Sequence, residues 1–273
     1  MKVFISADME GVCGVVDREH TLRDGKEHER ARKLMTQEVN AAIEGAYEAG
    51  AKQIIVNDSH GTMRNIIPED LNETAELITG SPKPLSMMQG IDSTFKAVFF
   101  TGYHAMRGSY LGVLEHTYHG GVVSDLFFNG KRFGETGMNA AVAGYFKVPV
   151  ALVTGDQVVT QEAKLLLGKV ETVTVKEGVS RNAAKCLSPS KARSLIKAGA
   201  KSALLKVKSF KPLILSPPIN VDMVFINAGM ADMAEMVPSA RRKDARTVSY
   251  IANDYLEAYK AVRAMIALAG INI

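Results

Sequence analysis

The chain has 273 residues, of which 47% are hydrophobic and 23% are charged, and its formal net charge is +4. This composition is typical of a folded globular protein and argues against a disordered, fibrous or membrane-spanning chain. The first apolar run is too short for a signal-peptide core, and two distant cysteines do not form a disulfide framework, so we expect a cytoplasmic protein with reduced thiols.

The first predicted strand ends at two carboxylates, Asp8 and Glu10. Side chains two residues apart in an extended strand point to the same face, so these two acids would lie side by side. Like charges this close raise each other's pKa unless a cation neutralises them, so the pair indicates either a shared proton or a bound metal. The alternative is that the strand simply ends here and Asp8 caps the next turn.

The following elements have the order of a parallel β-α-β unit. Apolar positions recur at helical spacing over residues 27–49, and Gly50 stands where a left-handed helix cap is expected. A buried strand then covers residues 53–60 and ends at His60. Strand, helix and strand in this order predict a parallel sheet.

Further elements alternate in the same way as far as about residue 180. A third apolar run ends at His104, and a glycine-containing loop with His116 and His119 follows it. The remaining predicted elements are a weak helix at 69–78, a strand at 97–104, a hairpin at 122–133, a helix that begins near Glu135, strands at 148–154 and 170–175, and a helix at 161–167.

The pattern changes in the last third of the chain. Ser188 and Pro189 have the residue types of a helix start, and we predict a helix from there to about residue 207, strands at 221–226 and 247–252, and a helix at 255–269. We therefore predict an α/β fold. A three-layer catalytic domain with a mostly parallel sheet would cover residues 1–180, and a smaller α+β domain would cover residues 181–273.

The stretch from Lys176 to Lys211 contains ten Lys or Arg residues and one acid, Glu177. Such a stripe could bind nucleic acid. The chain has no Trp and the stripe has few aromatic residues on which bases could stack. We interpret the stripe as a solvated helix face and expect no nucleic-acid partner.

Three predicted buried strands end at residues that can bind a metal, namely Asp8 with Glu10, His60 and His104. Ligands of parallel sheets bind at the carboxyl edge of the strands, so these residues can converge there. A single histidine after a strand is commonly structural, but three such endings favour a site.

Two divalent ions would bring four positive charges, and Asp8, Glu10 and Glu135 would return three, which leaves one for a bridging hydroxide. Imidazole ligands favour Zn²⁺, with Mn²⁺ or Co²⁺ possible, over Mg²⁺ or Ca²⁺. This charge balance predicts a two-metal hydrolase.

Five segments of the chain resemble the zinc-dependent D-aminopeptidases that are associated with bacterial dipeptide-transport operons. The segments are Ser6-Ala7-Asp8-Met9-Glu10-Gly11, Val56-Asn57-Asp58-Ser59-His60, Gly102-Tyr103-His104-Ala105, Gly134-Glu135-Thr136-Gly137-Met138-Asn139-Ala140 and Lys185-Cys186-Leu187-Ser188-Pro189. The resemblance implies an aminopeptidase that removes N-terminal D-amino acids from short peptides such as D-Ala-D-Ala. It also implies a ring-shaped homodecamer that encloses the active sites.

The same resemblance implies a ligand set and a catalytic residue. Asp8 would bridge two zinc ions, and the other ligands would be Glu10, His60, His104 and Glu135. His116 would be the catalytic residue, as nucleophile, general acid and base, or oxyanion stabiliser. The match is looser here, because Glu115 precedes His116 where relatives have a small polar residue, and His119 is an alternative.

Two other functions fit the residues themselves. One is another metal-dependent hydrolysis, of an amide or a phosphoester, although no arginine cluster for a phosphate accompanies the site. The other is a non-enzymatic, peptide-binding accessory protein of a transport system with a structural metal. The preference for D-residues comes from the resemblance alone.

Overall fold

The computed structural model describes residues 1–272 as two β-sheets and seven α-helices. The strands are β1 (Lys2–Ala7), β2 (Gln53–Asp58), β3 (Ala75–Ile78), β4 (Ala97–Tyr103), β5 (Val123–Phe128), β6 (Lys131–Arg132), β7 (Val150–Asp156), β8 (Glu171–Ser180), β9 (Ala183–Cys186), β10 (Ile219–Phe225), β11 (Arg241–Arg242) and β12 (Thr247–Ala252). The helices are α1 (Arg18–Thr21), α2 (His28–Glu48), α3 (Glu135–Tyr145), α4 (Gln157–Leu167), α5 (Pro189–Leu205), α6 (Ala228–Ala234) and α7 (Tyr255–Ala269).

The larger sheet has seven strands in the order β3-β2-β1-β4-β7-β8-β9. Every neighbouring pair is parallel except β8 and β9. The smaller sheet is antiparallel, with the order β11-β12-β10-β5-β6. The predicted α/β fold with a mostly parallel sheet is therefore confirmed.

The larger sheet is covered on both faces, which explains its continuous apolar strands. Val3 and Ile5 of β1 belong to the apolar core that α2 and α5 share, and Phe4, between them, belongs to the core on the other face. That second core also contains residues of α3, α7 and the smaller sheet. The layers are thus a helical pair, the parallel sheet, and a third layer of helices and antiparallel strands.

Residues 69–78 do not form the predicted helix. A short 3₁₀ turn covers Pro68–Asp70, and β3 then pairs with β2 in parallel at the edge of the sheet. The amide of Thr74 donates to Oδ1 of Asn72 at 3.0 Å, so a local turn interrupts the helix. The backbone of β3 instead finds its hydrogen-bond partners on β2, a contact that local periodicity does not reveal.

The boundary between the two sheets does not coincide with residue 180, where the sequence predicts a domain boundary. The division into two domains itself stays a prediction. Strands β5 and β6 come before this boundary but pair in the smaller sheet with β10. Strand β9 and helix α5 come after it but pack on the larger sheet and on α2. The predicted hairpin is confirmed, with its turn at Asn129 and Gly130, both at positive φ.

None of the helices in residues 1–272 combines the length and the hydrophobicity that a membrane span requires.

Candidate metal centre

The strand ends that were predicted to converge lie next to one another in the larger sheet. Strand β1 lies between β2 and β4, with Ala7 in register with Asp58 on one side and Thr101 on the other. Asp8, His60 and His104 follow these three strands and are buried. Glu10 lies in the turn after β1, and Glu135 is the first residue of α3.

Two glycines allow the ends of β1 and β4 to approach closely. The amide of Gly11 donates to the carbonyl of Gly102 at 2.8 Å, and a Cβ on Gly11 would lie 1.9 Å from the carbonyl oxygen of Tyr103. Gly102 has a φ of +66°, and a Cβ there would meet the carbonyl of Asp8. Side chains at either position would therefore separate Asp8 from His104.

The carboxylates and imidazoles form two adjoining groups around Asp8. Nδ1 of His60 lies 2.9 Å from Oε2 of Glu10 and 3.2 Å from Oδ1 of Asp8. Nε2 of His104 lies 3.1 Å from Oε1 of Glu135 and 3.6 Å from Oδ2 of Asp8. Asp8 therefore directs one carboxylate oxygen to each histidine, which is the arrangement that a bridging carboxylate requires.

Each histidine is held by a backbone carbonyl on its outer nitrogen. Nε2 of His60 lies 2.8 Å from the carbonyl of Thr21, and Nδ1 of His104 lies 3.0 Å from that of Ala105. A carbonyl only accepts, so the proton of a neutral ring stays on the outer nitrogen. The inner nitrogen then presents a lone pair to the carboxylates, as in metal sites whose histidines are oriented by an outer hydrogen bond.

His116 joins the same cluster from the loop between β4 and β5. Its Nδ1 lies 2.9 Å from the carbonyl of Leu114, and its Nε2 lies 3.6 Å from Oε1 of Glu135. Leu114 has a φ of +54°, a strained conformation that directs its carbonyl to the imidazole. The hydrogen bond to this carbonyl fixes the orientation of His116.

Three inner atoms make no well-aligned hydrogen bond in the described chain, although all are buried. They are Oδ2 of Asp8, Oε2 of Glu10 and Nε2 of His104. Buried polar atoms without partners are costly, and a cation that all three can ligate would satisfy them. Ligand atoms of Asp8, Glu10 and His104, and separately of His104, His116 and Glu135, lie within 4.8 Å of one another, so the donor set fits a divalent metal.

The pKa values show how strongly these groups are coupled. Burial, together with the charge of Glu10, raises the pKa of Asp8 to about 7. Burial would raise the pKa of Glu10, but the charge of His60 and its hydrogen bond outweigh this and lower it well below the usual range. Burial acts against the charged form of His60, yet the charges of Glu10 and Asp8 raise its pKa well above the usual value.

The other half of the cluster behaves in the same way, with one exception. Burial lowers the pKa of His104, but the charge of Glu135 and its hydrogen bond outweigh this and raise it well above the usual value. His116 is the exception, because burial and the charge of His104 lower its pKa. His116 is therefore the one imidazole of the cluster that stays neutral at pH 7.

A buried lysine that the sequence analysis assigned to a solvated stripe holds the loop after β1. The Nζ atom of Lys176 donates to the carbonyls of Glu10, Val12 and Val15, and its side chain is fully buried. Nothing in the spacing of basic residues distinguishes Lys176 from its exposed neighbours. Its position on β8, one strand beyond β7, becomes apparent only when the sheet is assembled.

The other predicted residues lie outside the cluster. His119 is exposed, and its ring accepts from the amide of Gly121, whereas His116 lines the cavity. Glu115 points away from the cavity to Arg181, at 3.2 Å, and to the amide of Gly108. Asp58, which precedes His60 by two residues, accepts from the amides of residues 65 and 66 and so organises the loop that carries His60.

A cavity of about 170 Å³ opens over the cluster. Besides the carboxylates and histidines, it is lined by Tyr118 and by Arg263, the only Lys or Arg residue among the described residues that line it. The amide of Tyr118 donates to Oε1 of Glu135 at 2.7 Å. Neither residue belongs to a recognisable motif, so neither can be singled out from the sequence.

Comparison with known proteins gives one consistent result. Residues 1–264 match the family Peptidase_M55, described as D-aminopeptidase. The sequence is 41% identical over 272 residues to a D-aminopeptidase from Bacillus subtilis (strain 168), covering 98% of each chain. A solved structure described as the Zn-dependent D-aminopeptidase DppA from Bacillus subtilis, a self-compartmentalizing protease, superposes with a TM-score of 0.97 and 39% identity over 99% of this chain and 98% of that one.

Proposed function

This chain belongs to Peptidase_M55, the D-aminopeptidase family, and we propose that it is a binuclear zinc enzyme that releases N-terminal D-amino acids from short peptides such as D-Ala-D-Ala. As a member of this family it is a metal-dependent peptidase, which removes the non-enzymatic alternative. The observation that carries the proposal is that buried inner atoms of Asp8, Glu10 and His104 lie close together without a well-aligned hydrogen bond.

The two groups around Asp8 support the proposed ligand assignment. Glu10 and His60 would hold one cation, His104 and Glu135 the other, and Asp8 would bridge them with one oxygen each. Zinc is supported by the description of the solved relative and by the mixed imidazole and carboxylate donors. When bound, the two cations supply Lewis-acid polarisation of the scissile carbonyl.

His116 is the residue that we propose to move the proton. Its Nδ1 is committed to the carbonyl of Leu114, so its Nε2 is free to accept. A neutral imidazole can take a proton at Nε2 from the water that attacks the carbonyl and return it to the leaving amine as the C–N bond breaks. The fixed ring orientation keeps this atom at the cavity throughout.

Assembly into a closed homo-oligomer is the second part of the proposal. The solved relative is described as self-compartmentalizing, and this chain superposes on it over nearly its whole length. We propose a homodecameric ring in which the active sites face an enclosed space. Access would then be restricted to short peptides.

The proposal is tested by metal analysis and activity on one sample. We expect two zinc ions per chain, hydrolysis of D-Ala-D-Ala, loss of activity on chelation and recovery with Zn²⁺ or Mn²⁺. L-Ala-L-Ala and a phosphoester serve as controls and should be poor substrates. Full activity of verified metal-free protein, or faster cleavage of either control, would overturn the proposal.

A further inference from the structure

Arg263 projects from α7 into the cavity over the metal centre. Its guanidinium carbon lies 4.6 Å from the centre of the Tyr118 ring, and its side chain is half-buried. A planar guanidinium on an aromatic face is restrained in orientation while its N–H groups remain available at the edges. The stacking therefore holds Arg263 in place without using its donors.

Within residues 1–272 the guanidinium of Arg263 forms no salt bridge and donates no hydrogen bond. The acids that line the cavity are Asp8, Glu10 and Glu135, all of which are assigned to the cations. Once four metal charges meet three carboxylates, these acids cannot also neutralise an arginine. The guanidinium of Arg263 therefore faces the cavity with its positive charge and its N–H donors unused. It is suited to bind an anion from outside the chain.

Tyr118 connects Arg263 to the metal centre. Its ring carries the guanidinium, while its amide donates to the proposed metal ligand Glu135. One residue thus sets the spacing between the proposed reaction centre and the positive charge. A ligand that spans this spacing would have a scissile carbonyl at one end and a carboxylate at the other, which describes a very short peptide.

We propose that Arg263 binds the C-terminal carboxylate of the peptide substrate and makes the enzyme selective for short peptides with a free carboxyl terminus. This inference rests on the proposed aminopeptidase activity and adds its substrate class. The bond that breaks is unchanged. Arg263 contributes to specificity by binding the C-terminal residue, which leaves as the amine product, and it takes no part in proton transfer.

The test compares D-Ala-D-Ala with D-Ala-D-Ala amide in three proteins. The unaltered enzyme should prefer the free acid, and Arg263→Met should lower kcat/KM for the acid by roughly 10- to 100-fold, the effect of losing a charge-assisted hydrogen bond, with little change for the amide. Lys260→Met removes an exposed positive charge from the same helix and should preserve the preference. Arg263→Lys should restore part of it, because an ammonium lacks the forked geometry.

Zinc content and thermal midpoint of each variant establish that it is folded and loaded. If the unaltered enzyme cleaves acid and amide equally, or if Arg263→Met slows both equally, the assignment of Arg263 is wrong while the aminopeptidase activity stands. If the unaltered, zinc-loaded enzyme cleaves neither compound, the proposed function itself fails.

Discussion

The imidazole rings of His104 and His116 are stacked, with centroids 4.0 Å apart and planes 11° from parallel. Both present Nε2 to the same oxygen of Glu135, at 3.1 Å and 3.6 Å. Burial would lower the pKa of His104, but the charge of Glu135 raises it, whereas burial, together with the charge of His104, lowers the pKa of His116. In the metal-free site His104 therefore holds a proton that a cation must displace, while His116 stays neutral and can accept one.

Replacing His116 by Gln should abolish most activity and leave the metals in place. Loss of a general acid and base lowers kcat by about 100- to 10,000-fold. Since Nε2 of His116 also lies near Glu135 and His104, a ligand role is the competing interpretation. Zinc content by elemental analysis separates the two.

His119→Gln is the matched control, because this histidine lies in the same loop but is exposed. Its activity and zinc content should equal those of the unaltered protein. A His116→Gln variant that lost one zinc ion per chain would contradict the catalytic assignment and make His116 a ligand.

Zinc binding should release protons and should tighten as the pH rises. The raised pKa values of His60 and His104 mean that the metal-free site holds both imidazoles protonated near pH 7. Zinc requires neutral imidazoles and an ionised Asp8, whose pKa is about 7, so it must displace between about two and three protons per chain. Calorimetric titration of metal-free protein in buffers with different heats of ionisation measures the number.

The same titration of His60→Gln should show about one proton fewer. Affinity that was independent of pH between 6 and 8, with no proton release, would mean that the imidazoles are already neutral in the metal-free protein. In that case the neighbouring carboxylates would not raise the pKa values of His60 and His104.

Lys176→Met should destabilise the protein and weaken metal binding. The ammonium of Lys176 satisfies three carbonyls of the loop that carries Glu10, and Met leaves them without a donor. Hydrogen bonds to a charged group contribute about 1.5–3 kcal/mol each, and the cost of burying the ammonium offsets part of their sum, so we expect a loss of about 3 kcal/mol in the free energy of unfolding. Urea denaturation of the metal-free protein measures it.

Lys185→Met removes a lysine from neighbouring β9, where it forms only an exposed ion pair with Glu177. Its effect on stability should stay below about 1 kcal/mol. Equal effects of the two substitutions would show that Lys176 does not hold the loop after β1.

Assembly should limit the length of the substrates. Mass photometry of the zinc-loaded protein should find particles of ten chains, and cleavage of peptides with N-terminal D-Ala should fall steeply as the peptides are lengthened beyond a few residues. Free monomers with full activity, or equal cleavage of long and short peptides, would argue against an enclosed site.

Much of the fold is encoded locally. Helix α2, the hairpin of β5 and β6, strand β12 and helix α7 were all predicted close to their observed bounds, because apolar period and turn residues agree there. Strand β3 was not, since its conformation depends on β2, some twenty residues away. The pairing of β5 with β10 is similarly remote and has no local signature.

The candidate site was predictable where it follows strands and unpredictable where it depends on packing. Asp8, His60 and His104 stand at strand ends, and the structure brings them together. His116 came from family resemblance, as did the weight given to Glu135. Lys176 and Arg263 were missed because a basic residue on a strand or helix acquires its role from what faces it in the folded chain.

The order of residues along the chain also sets the order in which the site can form during synthesis. All of the proposed metal ligands lie at or before residue 135 and leave the ribosome first. Strand β10, which pairs with β5, and helix α7, which carries Arg263, emerge more than eighty residues later. A nascent chain can therefore expose the complete set of proposed zinc ligands while its substrate cavity still lacks a wall. The growing polypeptide would be able to capture metal well before it could cleave anything.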